Sequence, residues 1–148
     1  MTTLKIANMV NMMNKPTIVV LDDMPFRAEW IIQNFCDRVD VVLGETGEEF
    51  LNHLQTAKDL ILIILDHDLD CESINTNHTD KNGDNGVTVA QKLNLSNKNI
   101  PILIWSFNYK AVANMQSILS TKGYTVKVIQ YGFEDIIKNY IENLLQDL

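Results

Sequence analysis

The segment LDHDLD, residues 65–70, crowds three carboxylates and one imidazole together directly after an apolar run of leucine and isoleucine. Like charges at this spacing repel one another and are costly to remove from water. A divalent cation relieves the repulsion, and oxygen ligands of this kind suit Mg²⁺ or Mn²⁺. The segment is therefore typical of a metal site, with a histidine at hand to carry a proton.

Further polar residues follow two other apolar runs. The run TIVVL (17–21) is followed directly by Asp22 and Asp23, and the run IPILI (100–104) is followed directly by Trp105-Ser106-Phe107-Asn108. The carboxyl ends of parallel strands meet at one edge of a sheet, so these segments are expected to converge with Asp66. We predict a divalent metal site, with Mg²⁺ or Mn²⁺ as cofactor. Its predicted ligands are Asp22, Asp23 and Asp66.

The remaining polar residues suggest roles in phosphate chemistry. His67 is the natural proton carrier, with Asp68 as a second catalytic carboxylate. Arg27, one turn into the first helix, is expected to clamp a phosphate and so to act in both catalysis and substrate binding. Substrate contacts are also predicted for Trp105, Ser106 and Asn108. His53, in a helix, and His78, in a loop, are expected to lie away from the site.

Strand and helix patterns alternate along the chain and must position these residues. Apolar runs predict strands at 17–23, 39–44, 60–65, 100–105 and 124–130. Helical spacing predicts helices at 25–36, 46–57, 86–95, 109–122 and from 133 to the C-terminus. We therefore predict an α/β fold, a three-layer doubly wound five-stranded parallel sheet of order 2-1-3-4-5.

Two segments fall outside the alternation. Residues 1–15 are interpreted as an N-terminal extension, and residues 16–148 as a single domain. Residues 69–85 are polar and aperiodic, which is long for a connection inside a compact domain. They are expected to be mobile without ligand and to order over one as a lid, or else to be a disordered insertion.

The overall composition limits the function classes. The chain has 148 residues, 46% of them hydrophobic, and a net charge of −7. This acidity argues against duplex nucleic acid and membranes as partners, because both are polyanions. Two cysteines without metal-ligand spacing, and no continuous apolar leader, favour a cytoplasmic protein. The expected partner is a small nucleotide or phosphate-ester ligand, and the chain is expected to be a monomer or homodimer.

The pattern resembles the receiver domains of two-component signalling. Asp22-Asp23 match their acidic metal-binding pair, Asp66 their phosphoacceptor, and Ser106 their fourth-strand hydroxyl. Receivers carry a lysine at the end of strand 5, where this chain has Gln130. Lys127 lies mid-strand, out of register with that position.

A narrower resemblance is to the cyclic-phosphate-processing receiver-like family. The blocks LDDMPFR, LDHDLD and WSFNYKAVANM resemble its three signature blocks. Trp105 stands where that family usually has histidine. The resemblance implies processing of cyclic or other nucleotide phosphates, including in anti-viral signalling.

Three functions follow as hypotheses. The first is a metal-dependent phosphoesterase acting on a cyclic nucleotide or related phosphate ester. The second is a non-catalytic module that sequesters such a nucleotide, which the Trp105 departure favours. The third is a divergent phosphoacceptor receiver domain, which the missing lysine disfavours. A purely structural adaptor does not explain the acidic segment.

Overall fold

The computed structural model of the chain describes residues 15–35, 37–70, 77–129 and 134–148. Within these ranges strands and helices alternate as the apolar patterns predict. The strands are β1 (Thr17–Leu21), β2 (Asp40–Gly44), β3 (Leu60–Leu65), β4 (Ile102–Trp105) and β5 (Val126–Ile129). The helices are α1 (Phe26–Phe35), α2 (Gly47–Thr56), α3 (Gly86–Lys92), α4 (Tyr109–Thr121) and α5 (Glu134–Gln146).

The five strands form one parallel sheet in the order β2-β1-β3-β4-β5. This confirms the predicted fold class and strand order. The register pairs Leu21 with Leu65 and Leu65 with Ile104. The residues that follow these three positions therefore meet at one edge of the sheet.

Successive side chains of a strand point to opposite faces, which divides the core in two. One cluster packs Val19, Leu21, Ile63 and Leu65 against α2, α3 and α4. The other cluster packs the strand residues that point to the opposite face of the sheet against α1 and α5. Its strand members include Ile18, Val20, Leu62, Ile64, Leu103 and Trp105.

Capping side chains fix where the helices begin. Asn85 caps α3 in a reciprocal capping box with Thr88, and Asn108 caps α4 by accepting a hydrogen bond from Ala111 N–H. The predicted helix at 86–95 was too long at its C-terminal end. Leu93 is extended with ψ 124°, and the N–H of Leu95 donates to the Tyr124 hydroxyl instead of continuing the helix.

The described part of the predicted lid is tied to its surroundings. The Asp80 carboxylate accepts hydrogen bonds from the N–H groups of Gly47, Asn82 and Asp84, at 2.8 to 3.0 Å. The Leu69 N–H donates to the His78 carbonyl. Residues 71–76 of the predicted lid, and residues 1–14 of the predicted extension, lie outside the described residues, so both predictions stay predictions.

In the part of the chain that the structure describes, no helix has the length and apolar character needed to cross a membrane.

Candidate functional site

The predicted site residues gather at the carboxyl edge of the sheet, but in two clusters instead of one. Asp22 and Asp66 contact Arg27 of α1, whereas His67 contacts Asp68 and Asn108, the residue that caps α4. We call the first group, Asp22, Asp23, Arg27 and Asp66, the acidic cluster. The second group, the histidine cluster, comprises His67, Asp68, His78 and Asn108.

The acidic cluster has the geometry of a divalent cation site. Asp22, Asp23 and Asp66 each place a carboxylate oxygen within 4.8 Å of the others. Asp22 is fully buried, Asp66 is 7% exposed and Asp23 is half-buried. Three hard oxygen donors from two neighbouring strand ends fit Mg²⁺ or Mn²⁺. The fit supports the predicted cofactor and leaves the identity of the metal as a proposal.

Arg27 lies against these carboxylates. One guanidinium nitrogen is 2.6 Å from Asp22 Oδ2 and 3.1 Å from Asp66 Oδ2. Its guanidinium carbon also stacks 5.2 Å from the centre of the Phe26 ring and 5.4 Å from that of Trp105. Arg27 is 5% exposed, so it is packed within the site rather than extended towards an open phosphate position.

Burial and charge act in opposite directions on these carboxyl groups. Burial raises the pKa of Asp22 to about 6, although the neighbouring Arg27 guanidinium lowers it, and the Asp66 charge adds to the rise. Burial also raises the pKa of Asp66, against Arg27 and a hydrogen bond from Ser106. The arginine therefore compensates only part of the cost of burying two carboxylates.

The fourth strand contributes two buried residues to this cluster. Ser106 is 3% exposed and its hydroxyl hydrogen-bonds to Asp66. Trp105 is equally buried and meets Trp30 edge-on, with ring centres 6.1 Å apart. Its face covers Arg27, so the predicted stacking of Trp105 on a substrate base would require the two side chains to separate.

The histidine cluster is organised by Asp68. His67 Nδ1 lies 2.6 Å from Asp68 Oδ1, and the Asn108 amide donates to the same oxygen at 3.2 Å. A carboxylate only accepts, so the contact places the hydrogen of a neutral His67 on Nδ1. His67 is 5% exposed and lines an open cleft of about 570 Å³ between the 77–85 segment and α4.

His78 lies nearer to the cluster than the sequence led us to expect. Its ring centre is 6.2 Å from that of His67, and its Nδ1 is 3.4 Å from Asp70 Oδ2 and 3.8 Å from Asp68 Oδ1. The expectation that His78 lies away from the site was wrong. The sequence offers little warning of this, because the position depends on how residues 77–85 fold back. His53 lies on α2 beside Glu49, away from both clusters as expected.

Lys127 does not reach the acidic cluster. It pairs in register with Leu103 inside the sheet, and its ammonium lies 5.0 Å from the centre of the Tyr140 ring. Gln130, at the position where the sequence comparison with receiver domains places a lysine, lies outside the described residues. Among the described residues, the cation in contact with Asp66 is Arg27.

No known protein-family model matches the chain. A search of curated proteins likewise finds no match.

Solved structures with the same fold include receiver domains and response regulators. The BeF₃-activated DrrB receiver domain is 15% identical, with a TM-score of 0.62 over 90% of this chain and 99% of that one. A response regulator receiver protein from Pseudomonas putida is 16% identical, with a TM-score of 0.62 over 91% and 98%. A response regulator described as putative, from Chloroflexus aurantiacus, is 19% identical, with a TM-score of 0.61 over 90% and 99%. These similarities show that the chain has a receiver-like fold.

Proposed function

We propose that this chain is a phosphoacceptor module of the receiver type, in which Asp66 takes up a phosphoryl group. The observation that carries the proposal is the acidic cluster at the carboxyl ends of β1 and β3. There Asp66 shares a potential cation site with Asp22 and Asp23 and hydrogen-bonds to Ser106. The receiver-like fold of the similar structures supports the same assignment at the level of fold.

Exposure distinguishes the roles of the two buried carboxylates. The Asp22 side chain is 1% exposed and that of Asp66 10%. Asp66 is therefore the one that a phosphodonor can approach, while Asp22 serves as a cation ligand. A carboxylate oxygen of Asp66 attacks phosphorus, the bond to the leaving group breaks, and an acyl phosphate remains on Asp66.

The other residues orient and neutralise the phosphoryl group. Asp22 and Asp23, together with Asp66, would hold a divalent cation, which supplies positive charge next to the phosphoryl oxygens. Ser106 is positioned beside Asp66 to donate a hydrogen bond to one of those oxygens. Arg27 contacts Asp66 at 3.1 Å and compensates part of its negative charge until a cation binds.

Phosphorylation by a small phosphodonor tests the proposal. After incubation with acetyl phosphate or phosphoramidate and Mg²⁺, we expect intact-mass spectrometry to show one added phosphoryl group, which hydroxylamine removes. Asp66→Asn should prevent the addition and chelation of Mg²⁺ should suppress it. Asp68→Asn, which removes the neighbouring carboxylate, is the matched control and should still be phosphorylated. An equal mass gain in Asp66→Asn would refute Asp66 as the acceptor.

The histidine cluster favours a second candidate, a metal-dependent phosphoesterase for a cyclic nucleotide or related phosphate ester. Its support is the 2.6 Å contact between His67 and Asp68, which fixes the imidazole at the edge of an open cleft. This arrangement suits a general base or acid. The resemblance of the three sequence blocks to the cyclic-phosphate-processing family points to the same substrate class.

A panel of cyclic mono-, di- and oligonucleotides, with Mn²⁺ or with chelator, tests this candidate by chromatography of the products. If a member is hydrolysed, His67→Ala should lower the rate by about two to four orders of magnitude, the usual contribution of general acid–base catalysis. His53→Ala, on the surface of α2, is the control and should leave the rate unchanged. Binding without any product would instead identify a sequestering module.

A further inference from the structure

We propose that Arg27 and a divalent cation compete for the same carboxylate oxygens, so that the acidic cluster exchanges between an arginine-held and a metal-held state. The proposal rests on the cation site of the proposed function and concerns its regulation. It makes Arg27 the residue that sets how tightly this chain binds its metal.

The two oxygens of each carboxylate have different hydrogen-bond partners. Asp22 Oδ1 accepts from the Met24 N–H at 2.9 Å, and Asp66 Oδ1 accepts from the His67 N–H at 2.8 Å. Arg27 takes the remaining oxygen of each, Oδ2 in both cases. A metal ion bound through Oδ2 of both residues would therefore have to replace the guanidinium, or share these oxygens with it. Each Oδ1 keeps a second lone pair for a metal, but an ion bound there would still lie close to the same guanidinium.

Sharing is electrostatically unfavourable. The guanidinium nitrogen is 2.6 and 3.1 Å from the two oxygens, so a divalent ion bound to those oxygens would lie a few ångströms from a positive charge. Both carboxylates are almost completely buried, and water screens charges poorly at such positions. Displacement of Arg27 removes this repulsion.

A cavity next to the cluster can receive the displaced side chain. It has a volume of about 310 Å³, and Arg27 itself forms part of its wall. The wall also includes two carboxylates, Glu29 on α1 and Glu134 in the first turn of α5, and the aromatic residues Trp30 and Trp105. In the metal-held state the guanidinium would exchange buried aspartates for these glutamates, and the charge would move towards α5.

Metal binding by Arg27→Gln, compared with the unaltered protein, tests the exchange. Removal of the competing cation should tighten Mg²⁺ and Mn²⁺ binding by about tenfold or more in calorimetry at constant ionic strength. Arg38→Gln is the matched control. It removes the same charge from an exposed pair with Glu142 and should bind metal within about twofold of the unaltered protein.

Tryptophan fluorescence reports the movement separately from affinity. Both tryptophans of the chain line the receiving cavity, so metal should change their emission in the unaltered protein and much less in Arg27→Gln. Equal affinities for the unaltered protein and Arg27→Gln would overturn the exchange while leaving the cation site intact. Absence of metal binding in every protein would overturn the cation site and the exchange together.

Glu134→Gln provides a test that keeps Arg27 in place, should Arg27→Gln fail to fold. Loss of one receiving carboxylate should favour the arginine-held state and weaken metal binding by about threefold. Glu142→Gln, which removes a carboxylate of α5 outside the cavity, is its control. Identical metal affinities for these two glutamate variants would contradict the movement of Arg27 into the cavity beside Glu134.

Discussion

The two buried aspartates of the acidic cluster differ in what surrounds them. Asp22 is almost completely buried, and its pKa is affected by the charges of Arg27 and Asp66. Its pKa of about 6 means that the folded protein holds a proton on Asp22 at pH values where the unfolded chain has lost it. Stability of the metal-free protein therefore depends on pH through this residue.

We expect loss of the Asp22 proton in the unfolded chain to lower the free energy of unfolding as pH rises from about 4 to about 6. In this window the folded state binds more protons than the unfolded state, so the free energy of unfolding falls with rising pH. The shift from 3.8 to about 6 corresponds to at most about 3 kcal/mol. Urea unfolding in chelator, at a series of pH values, measures it.

Asp22→Asn is the variant that isolates this effect. It should lose less stability than the unaltered protein between these pH values, and the difference between the two curves is the Asp22 contribution. Asp40→Asn removes an exposed carboxylate at the start of β2 and is the control. Parallel curves for Asp22→Asn and the unaltered protein would show that burial does not shift the pKa of Asp22.

At the scale of elements, the spacing of apolar residues along the chain was sufficient to predict the fold. The run of six apolar residues in β3 was assigned with its observed bounds, and the alternation of strands and helices implied a parallel sheet. Element ends were less accurate because hydrogen bonds decide them. β1 ends at Leu21, two residues before its predicted end, since the Asp22 carboxylate accepts from the Met24 N–H in a turn.

The division of the site into two clusters was also encoded in the sequence, although we predicted one site. Asp66 continues the phase of Leu62 and Ile64, while His67 continues that of Ile63 and Leu65. Residues of opposite parity in a strand point to opposite faces of the sheet, and the contacts of Asp66 with Arg27 and of His67 with Asn108 follow this pattern beyond the end of β3 at Leu65. The ion pairs of Arg27 were harder to predict from the sequence. Whether its guanidinium binds a phosphate or a carboxylate depends on tertiary packing, which the local sequence does not determine.

At the scale of the molecule, the net charge of −7 gives any cation some general stabilising effect through relief of repulsion. Specific binding must be separated from this background. Asp66→Asn and Asp68→Asn each remove one negative charge, and both residues lie next to β3. They are therefore matched in net charge and differ in whether the lost carboxylate belongs to the cation site.

We expect millimolar Mg²⁺ to raise the melting temperature of the unaltered protein and of Asp68→Asn. For Asp66→Asn, we expect Mg²⁺ to raise the melting temperature no more than NaCl does at equal ionic strength. A cation at one hundred times its dissociation constant adds about 2.7 kcal/mol to the free energy of unfolding. For a domain of this size that is a rise of about 5–10 °C. Differential scanning calorimetry measures it, and an equal Mg²⁺ response in the two variants would mean that the cation acts on the net charge and not at the acidic cluster.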